Sequence, residues 1–220
     1  KNKGIFLLEF ADLLSIMKYK LFDTICHEHL EYYSAKVVIQ MLKKNNLKVF
    51  DIHKNDINGG SVRFFICSNL ANYKINKRNI KNYLNDEKKY KLEKKNSFIT
   101  FFKSVSKLKI KTNNILKRIR SKNKIIHGYG ASTKGNILLQ YFGINTDQVS
   151  YIADRNPEKD GLYTPGTKIK IISEKKSRNL KPDYYLVLPW HFKKEIIKRE
   201  KKIIKEGTKF IFPLPKFEIY

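Results

Sequence analysis

The sequence predicts an α/β protein whose C-terminal part is a doubly wound, mostly parallel Rossmann-like sheet. Three observations support this fold class. Short apolar runs of strand length recur after residue 124, helical stretches lie between several of them, and the first run ends at two glycines one residue apart. Strands that alternate with helices form parallel sheets with helices on both faces. In such sheets, ligands bind at the carboxyl ends of the strands.

The first predicted element is a strand over residues 4–10, Gly4-Ile5-Phe6-Leu7-Leu8-Glu9-Phe10. A continuous apolar run of this length is typical of a strand inside a sheet that is covered on both faces. Such a strand needs neighbours, and few candidates follow it in the sequence. We therefore expect the chain to begin in the middle of a domain, so that residues 1–73 form an incomplete domain.

Three candidate acid/base residues, His27, Glu28 and His29, are consecutive in the segment 22–33. In a looped segment the two histidines share a side and the glutamate points away. A neutral imidazole accepts a proton near pH 7, and a nearby carboxylate stabilises its charged form, so catalysis is chemically sensible. Two other interpretations stay open: histidines that are hydrogen-bonded at a domain surface, or a zinc site. Because only His53 is near enough in sequence to add a ligand, we expect no metal.

A hairpin is predicted next, with strands over residues 47–53 and 61–67 joined by Asn58-Gly59-Gly60. The short link implies an antiparallel pair. Two interpretations of the glycines stay open. They form only the turn, or they let the backbone approach a ligand with Arg63 nearby.

Two helical regions are predicted in the first 123 residues. Ser34 caps a helix that ends near residue 44. Residues 74–123 form a helical connector, broken near Thr112-Asn113-Asn114, with apolar residues on one face and lysines on the others. The domain organisation is therefore 1–73, 74–123 and 124–220.

The charge is strongly positive but does not predict a nucleic-acid partner. The formal net charge is +26, and residues 74–124 hold eighteen basic and three acidic side chains. Only seven of the 46 basic residues are arginine, and no RNP, zinc-finger or helix-turn-helix signature accompanies them. We expect the lysines to form a solvated face.

The segment 124–136 predicts a strand, a tight loop and a helix start. Glycines let the backbone approach an anion, and free N–H groups with a lysine supply positive potential. A phosphate or a nucleotide ribose is the expected ligand, although the spacing matches neither the dinucleotide fingerprint nor a P-loop, and a turn that merely needs glycine stays open. The candidate ligand-binding residues are Gly128, Gly130, Ser132, Thr133 and Lys134.

Further strands are predicted over residues 149–153, 169–172, 184–188 and 209–212, with a helical stretch at 191–205. Asp154 closes the second strand of this series. It lies where Rossmann-like folds place the ribose carboxylate, but an Asp before Asn156-Pro157 is also typical of a turn. Both interpretations stay open.

Membrane and secreted classes are not indicated. The sequence has no run of 18 apolar residues and no signal-peptide pattern at its start. The two cysteines, Cys26 and Cys67, are too far apart for a metal or redox motif, and we expect both to be reduced thiols. The expected location is the cytoplasm.

Four groups of residues together resemble the SAM-dependent C-methyltransferases of nucleotide-linked deoxysugars. They are Phe22-Asp23-Thr24-Ile25-Cys26-His27-Glu28-His29-Leu30-Glu31-Tyr32, Asn58-Gly59-Gly60-Ser61-Val62-Arg63, Gly128-Tyr129-Gly130-Ala131-Ser132-Thr133-Lys134-Gly135-Asn136, and Asp154 to Gly161 with Pro165-Gly166-Thr167. The resemblance covers the end of the methyltransferase domain and the complete Rossmann-like C-terminal domain. The family's zinc cysteines and glycine-rich SAM loop are absent, so we expect a fragment that does not turn over alone, with the other half as its partner.

The resemblance implies methylation of a carbon next to a ketone on a dTDP-type sugar, with SAM as cofactor. A base removes the α-proton and the enolate takes the methyl group. By resemblance His29 is the base and Glu28 its acidic partner. The family's tyrosine aligns with Cys26, a departure that moves the donor role to His27 or impairs activity. The substrate-binding residues implied are those of the glycine loop, with Asp154 and Arg63.

Two other functions are carried as alternatives. The first is a non-catalytic module that binds a nucleotide or nucleotide-sugar for a partner protein. The second is an NAD-dependent oxidoreductase that uses the glycine loop for its cofactor. The absence of the dinucleotide-binding fingerprint counts against this alternative.

Overall fold

A computed structural model describes residues 3–220 of the chain. It contains two compact units. The first unit comprises the chain up to Leu21 together with His27–Lys103, and the second unit comprises Phe22–Cys26 with Ser104–Tyr220. Phe22–Cys26, the five residues just before His27, therefore belong to the second unit, although the residues on both sides of them belong to the first. The three-part domain organisation expected from the sequence stays a prediction.

The first unit contains a three-stranded antiparallel sheet in the order β1-β3-β2. Its strands are β1 (Ile5–Phe10), β2 (Leu47–Asn55) and β3 (Ser61–Ser68). The predicted hairpin is confirmed, since β2 and β3 pair in antiparallel register on either side of a short turn at Ile57–Gly59.

The prediction of a first strand covered on both faces is wrong for the residues described. β1 pairs with β3 alone, so it is an edge strand. Ile5, Phe6 and Leu7 are 50%, 53% and 55% exposed. The expectation that few neighbours follow this strand agrees with the sheet, in which β3 is the one strand that pairs with β1 among the described residues. A continuous apolar run reports that both faces of a strand avoid water, but it does not identify the partner that covers them.

The first unit also contains α1 (Leu13–Tyr19), α2 (Ala35–Lys44), α3 (Lys77–Tyr90) and the start of α4 (Lys95–Arg120). The Ser34 cap is confirmed, because its hydroxyl accepts a hydrogen bond from the Val37 N–H at 3.3 Å. The sheet and helices enclose one apolar core. Its buried residues are Leu14, Ala35, Val38, Val49, Ile52, Val62, Phe64, Ile66, Tyr83 and Leu92.

The predicted helix break near Thr112-Asn113-Asn114 is wrong. α4 is continuous through these residues, and the interruption lies earlier, between α3 and α4, where Lys91 adopts a left-handed conformation. Asn113 is accommodated because its side-chain amide donates to the carbonyls of Lys109 and Phe142, at 3.1 and 2.8 Å. The low helix propensity of threonine and asparagine indicated a break, but these hydrogen bonds stabilise Asn113 within the helix.

The second unit contains a six-stranded sheet in the order β6-β5-β4-β7-β8-β9, in which the first five strands are parallel. This confirms the predicted mostly parallel, doubly wound α/β fold. The strands are β4 (Ile126–Tyr129), β5 (Tyr151–Asp154), β6 (Ile171–Ser173), β7 (Tyr184–Val187), β8 (Lys209–Phe212) and β9 (Glu218–Ile219). The antiparallel edge strand β9 was not predicted.

Helices connect these strands. α5 (Thr133–Phe142) follows β4, and α6 (Glu174–Asn179) follows β6. The helical stretch predicted at 191–205 is found as a short 3₁₀ turn, then α7 (Lys193–Arg199) and α8 (Lys201–Lys205). The strand order reverses at β4, so the loops after β4 and β7 flank the crevice where open parallel sheets bind ligands. Within residues 3–220, no helix has the length and apolar character to cross a membrane.

Candidate active-site region

Gly128 on β4 and Gly130 in the loop that follows are both needed for packing. Gly128 lies in the middle of the sheet, and a Cβ there would sit 2.3 Å from the Ile152 Cδ1 atom. Gly130 has a φ of +84°, which favours glycine, and a Cβ there would approach the Pro189 ring to 2.7 Å. The Gly130 N–H donates to the Ala153 carbonyl at 2.7 Å. The interpretation that the turn itself needs glycine therefore has a direct structural basis, and substrate contact at these glycines stays a prediction.

Asp154 holds the glycine loop in place. Its Oδ2 accepts a hydrogen bond from the Ala131 N–H at 2.6 Å, and its Oδ1 accepts one from the Asn156 N–H at 2.8 Å. The Lys159 ammonium donates to the Ala131 carbonyl at 2.7 Å and lies 3.8 Å from the Asp154 carboxylate. The turn interpretation of Asp154 is thus realised, and a bond from this carboxylate to a ribose stays a prediction.

The start of α5 carries the remaining predicted binding residues of the loop. The Ser132 hydroxyl caps the helix by accepting from the Gly135 N–H at 3.0 Å, and Thr133 is exposed on the first turn. Lys134 is half-buried. Burial lowers the pKa of the Lys134 ammonium, while the charge of the Asp23 carboxylate acts in the opposite direction. A partly desolvated cation at a helix start favours an anionic ligand.

The deepest polar residue in this region is Asp23, which we did not single out from the sequence. It is 1% exposed. Its Oδ2 accepts a hydrogen bond from the Trp190 Nε1–H at 2.8 Å, whereas its Oδ1 is buried and has no hydrogen-bond partner among the described residues. Burial raises the pKa of the Asp23 carboxyl, and the Lys134 charge and the Trp190 hydrogen bond oppose this only in part.

His191, next to Trp190, belongs to the same end of the sheet. Burial and the charge of Lys134 lower the pKa of its imidazole to about 4, so it is neutral near pH 7. Its Nδ1 is buried without a hydrogen-bond partner in the described chain. The sequence predicts a strand over residues 184–188, just before Trp190, but no sequence pattern indicated that Asp23, 167 positions earlier, bonds to Trp190.

The segment Phe22–Cys26, here named the strap, packs on α5 as well as on Trp190. The Phe22 ring lies 5.1 Å from the ring of Phe142 and 5.3 Å from that of Tyr141, measured between centroids. Phe22, Asp23 and Thr24 are each less than 5% exposed. The strap is therefore an integral part of the second unit.

The three predicted catalytic residues follow the strap directly and belong to the first unit. His27, Glu28 and His29 lie in an irregular turn and are all exposed. The His27 Nε2 and Glu28 Oε1 atoms are 4.0 Å apart. Their catalytic roles stay predictions. His53, the one candidate for a further zinc ligand, lies 3.0 Å from the Asp51 carboxylate and packs on Phe65. Among residues 3–220, no three His, Cys, Asp or Glu side chains are grouped as a metal site requires.

Arg63 lies on β3 opposite Glu9 of β1, and its Nε donates to the Glu9 carboxylate at 2.5 Å. Its positive charge is thus paired across two strands of the first unit. Gly59 and Gly60 form the turn between β2 and β3, which realises the hairpin interpretation. Substrate contact by Arg63 stays a prediction.

A second polar cluster in the second unit was not predicted either. Glu200 is 3% exposed and accepts hydrogen bonds from the Tyr129 hydroxyl and the Arg178 guanidinium, both at 2.6 Å. Arg199 donates to Glu200 at 3.2 Å and to Glu174 at 2.7 Å. The two arginines and two glutamates balance in charge, so we assign this cluster to the packing of the sheet against its helices.

Comparison with known proteins identifies the family of the chain. The family model of the C-methyltransferase C-terminal domain matches residues 56–215, which include most of the second unit. The chain is also similar to the C-methyltransferase NovU of Streptomyces niveus, with 30% identity over 212 residues. This alignment covers 96% of the chain and 50% of NovU, so the chain spans about half the length of this curated relative. The chain belongs to the C-methyltransferase family and contains that family's C-terminal domain.

Proposed function

We propose that this chain takes part in transferring a methyl group from SAM to a carbon next to the ketone of a nucleotide-linked deoxysugar. His29 is the base that removes the α-proton. The proposal is supported by the Cys26-His27-Glu28-His29 motif, by the family membership, and by a lysine-bearing loop at the ligand-binding end of the Rossmann-like sheet. The name of NovU gives its reaction as C-methylation and names no substrate.

The observation that carries the proposal is the position of the strap within the second unit. The charge of its Asp23 acts on the Lys134 ammonium. The next residues of the chain are His27, Glu28 and His29. Three extended residues span at most about 11 Å. The covalent chain therefore keeps the proposed base within about 11 Å of Cys26, the last residue of the strap.

Each residue has a role that its chemistry allows. A neutral imidazole at His29 accepts the α-proton, and the Glu28 carboxylate stabilises the imidazolium that results. Lys134 pairs with phosphate oxygens, and the Ser132 and Thr133 hydroxyls donate further hydrogen bonds to them. Cys26 replaces the family tyrosine with a weaker donor, so we assign stabilisation of the developing oxyanion to His27.

The residues described do not fit SAM. In the family the cofactor lies against a glycine-rich loop after a parallel strand, whereas the first unit has an antiparallel sheet whose glycines, Gly59 and Gly60, form a hairpin turn. SAM supplies the methyl group when bound. We therefore assign SAM binding to the part of the related C-methyltransferase that this chain does not cover, and we derive only proton removal from the residues present.

Exchange of the α-proton with solvent tests the base without any methyl donor. The chain is incubated with a dTDP-linked keto-deoxysugar in D₂O, and deuterium uptake at the carbon next to the ketone is followed by proton NMR. We expect His29→Ala to slow exchange by about 10²- to 10⁴-fold, the usual contribution of a general base. The affinity for the sugar nucleotide should stay within about threefold, because binding is assigned to the second unit.

His53→Ala is the matched control, since His53 is in the same unit but is paired with Asp51. It should leave exchange within about twofold of the parent chain. Equal exchange rates in His29→Ala and the parent would refute the base assignment. Binding of the sugar nucleotide without exchange in the parent would favour a non-catalytic binding module instead, and binding of NAD alone would favour an oxidoreductase.

A further inference from the structure

We propose that Asp23 is a positioning residue: through Trp190 and Lys134 it clamps the strap onto the carboxyl end of β7 and so fixes the start of the His27-Glu28-His29 segment. The clamp itself is a property of the second unit. Its consequence for catalysis rests on the function proposed above.

The strap is built as a short rigid piece. Phe22–Thr24 form one 3₁₀ turn, which the Ile25 N–H closes by donating to the Phe22 carbonyl at 2.9 Å. Phe22 anchors one end in the aromatic cluster with Phe142, and Asp23 anchors the other side of the turn through its hydrogen bond to Trp190. With one apolar and one polar anchor on consecutive residues, the turn cannot rotate without breaking one of them.

The surface that receives the strap is equally well defined. Trp190 is 5% exposed and starts the 3₁₀ turn after β7. The preceding Pro189 packs against Gly130, and the Leu188 N–H donates to the Tyr129 carbonyl at 3.1 Å. The tryptophan loop and the glycine loop therefore support each other, and the strap rests on a platform fixed by the sheet.

A carboxylate at this position is not explained by stability. An asparagine would accept the same Trp190 hydrogen bond without the desolvation of a buried charge. Asp23 also leaves one buried oxygen without a partner, which a fold selected for stability alone would avoid. Buried charges retained against stability occur at functional sites. The charge of Asp23 attracts Lys134, so one side chain links the strap to the predicted phosphate-binding cation.

The test uses two readouts that the chain provides. Trp190 is its one tryptophan, so its fluorescence reports on the Asp23 contact. Cys26 closes the strap and is half-buried, whereas Cys67 is 2% exposed, so the iodoacetamide alkylation of Cys26, located by mass spectrometry, reports on how firmly the strap is held.

We expect Asp23→Ala and Trp190→Phe each to speed alkylation of Cys26 at least about tenfold, and Asp23→Ala to shift the Trp190 emission. Asp23→Asn keeps the hydrogen bond but loses the attraction to Lys134, so it should speed alkylation only about threefold. Its melting temperature should equal or exceed that of the parent, because the buried charge is gone. A residue with a purely structural role would not loosen the strap while leaving the fold as stable.

Glu200→Gln is the matched control, since it perturbs a buried carboxylate of the same unit that does not contact the strap. It should lower the melting temperature and leave Cys26 alkylation within about twofold. Unchanged alkylation in both Asp23→Ala and Trp190→Phe would overturn the clamp. In the α-proton exchange assay, Trp190→Phe should lower kcat at least about tenfold with KM within about threefold. Faster alkylation of Cys26 in Trp190→Phe, with an unchanged rate of α-proton exchange, would overturn the positioning role. Failure of the proposed function is a separate result, because it would appear as equal rates of α-proton exchange in His29→Ala and the parent chain.

Discussion

The two units bury their apolar strands to very different extents. In the second unit Ile126, Ile152 and Leu186, from three neighbouring parallel strands, are fully buried. In the first unit three consecutive apolar residues of β1 are half exposed, and β1 has one strand neighbour among the described residues. The family match covers most of the second unit but begins at residue 56, after β1 and β2. The central strands of the second unit are thus buried, whereas β1 has a half-exposed apolar surface and, among the described residues, pairs on one side.

Gly128→Ala is expected to have the largest effect, because it adds a methyl group to the fully buried centre of the second unit's sheet. The new Cβ would lie 2.3 Å from Ile152 Cδ1 in the middle of the sheet, with strands on both sides. We expect the free energy of unfolding to fall by about 2–3 kcal/mol, because the Ile152 side chain can rotate away from the new methyl group only within a packed core. Urea denaturation followed by Trp190 fluorescence measures this in the second unit.

The double variant Gly128→Ala with Ile152→Val sharpens the test. Valine lacks the Cδ1 atom that the new methyl group meets, so the pair should recover most of the lost stability. Ile152→Val alone should cost about 1 kcal/mol. Stability losses that simply add would show that the contact is not the cause.

The same apolar-run signal predicted the strands of both units, but it predicted their surroundings only in the second. There, strands alternating with helices indicated parallel pairing and two covered faces, and both follow from how the chain must cross over a sheet. For β1 the same signal indicated cover on both faces. An apolar run predicts that its residues are shielded from water. It does not predict which other residues shield them.

The candidate site was predictable where its parts are local in sequence. The glycine loop, the helix start after it and the strand ends of β4, β5 and β7 were all predicted from short patterns, whereas the helix-capping role of Ser132 was not. The Asp23–Trp190 hydrogen bond joins residues 167 positions apart, and neither residue type has a local pattern that indicates a partner. The strap also belongs to the second unit while its flanking residues belong to the first, an arrangement that hydrophobic patterning does not encode.

The next effect concerns the pH dependence of the second unit's stability. His127 lies on β4, is 1% exposed, and its Nδ1 is 2.8 Å from the Ser177 hydroxyl. Burial lowers its pKa from an ordinary value of 6.5 to about 4. As the pH falls, the unfolded chain therefore binds the proton first, so stability is highest above pH 6.5 and is lost as the pH approaches 4.

We expect the titration of His127 to lower the free energy of unfolding by about 2 kcal/mol as the pH falls from about 7 to about 5. His127→Gln removes the titrating group, so the stability of this variant should change less over the same range. Urea titrations at both pH values, followed by Trp190 fluorescence, make the comparison. Parallel pH profiles for the variant and the parent would contradict the assignment.

The smallest effect is expected at β1, where adjacent residues face opposite sides of the strand. Leu8 packs against the core of the first unit, while Leu7 is 55% exposed. Leu8→Ser should therefore cost about 1–2 kcal/mol, and Leu7→Ser less than about 0.5 kcal/mol. Cys67 is buried on β3 opposite Ile5, so its alkylation in increasing urea reports the unfolding of this unit. The two variants remove the same side chain from neighbouring positions, so they share a denatured state and differ only in the face that is lost. An equal loss of stability for both variants would mean that the outer face of β1 is covered in solution. The strands of the two units would then not differ in burial.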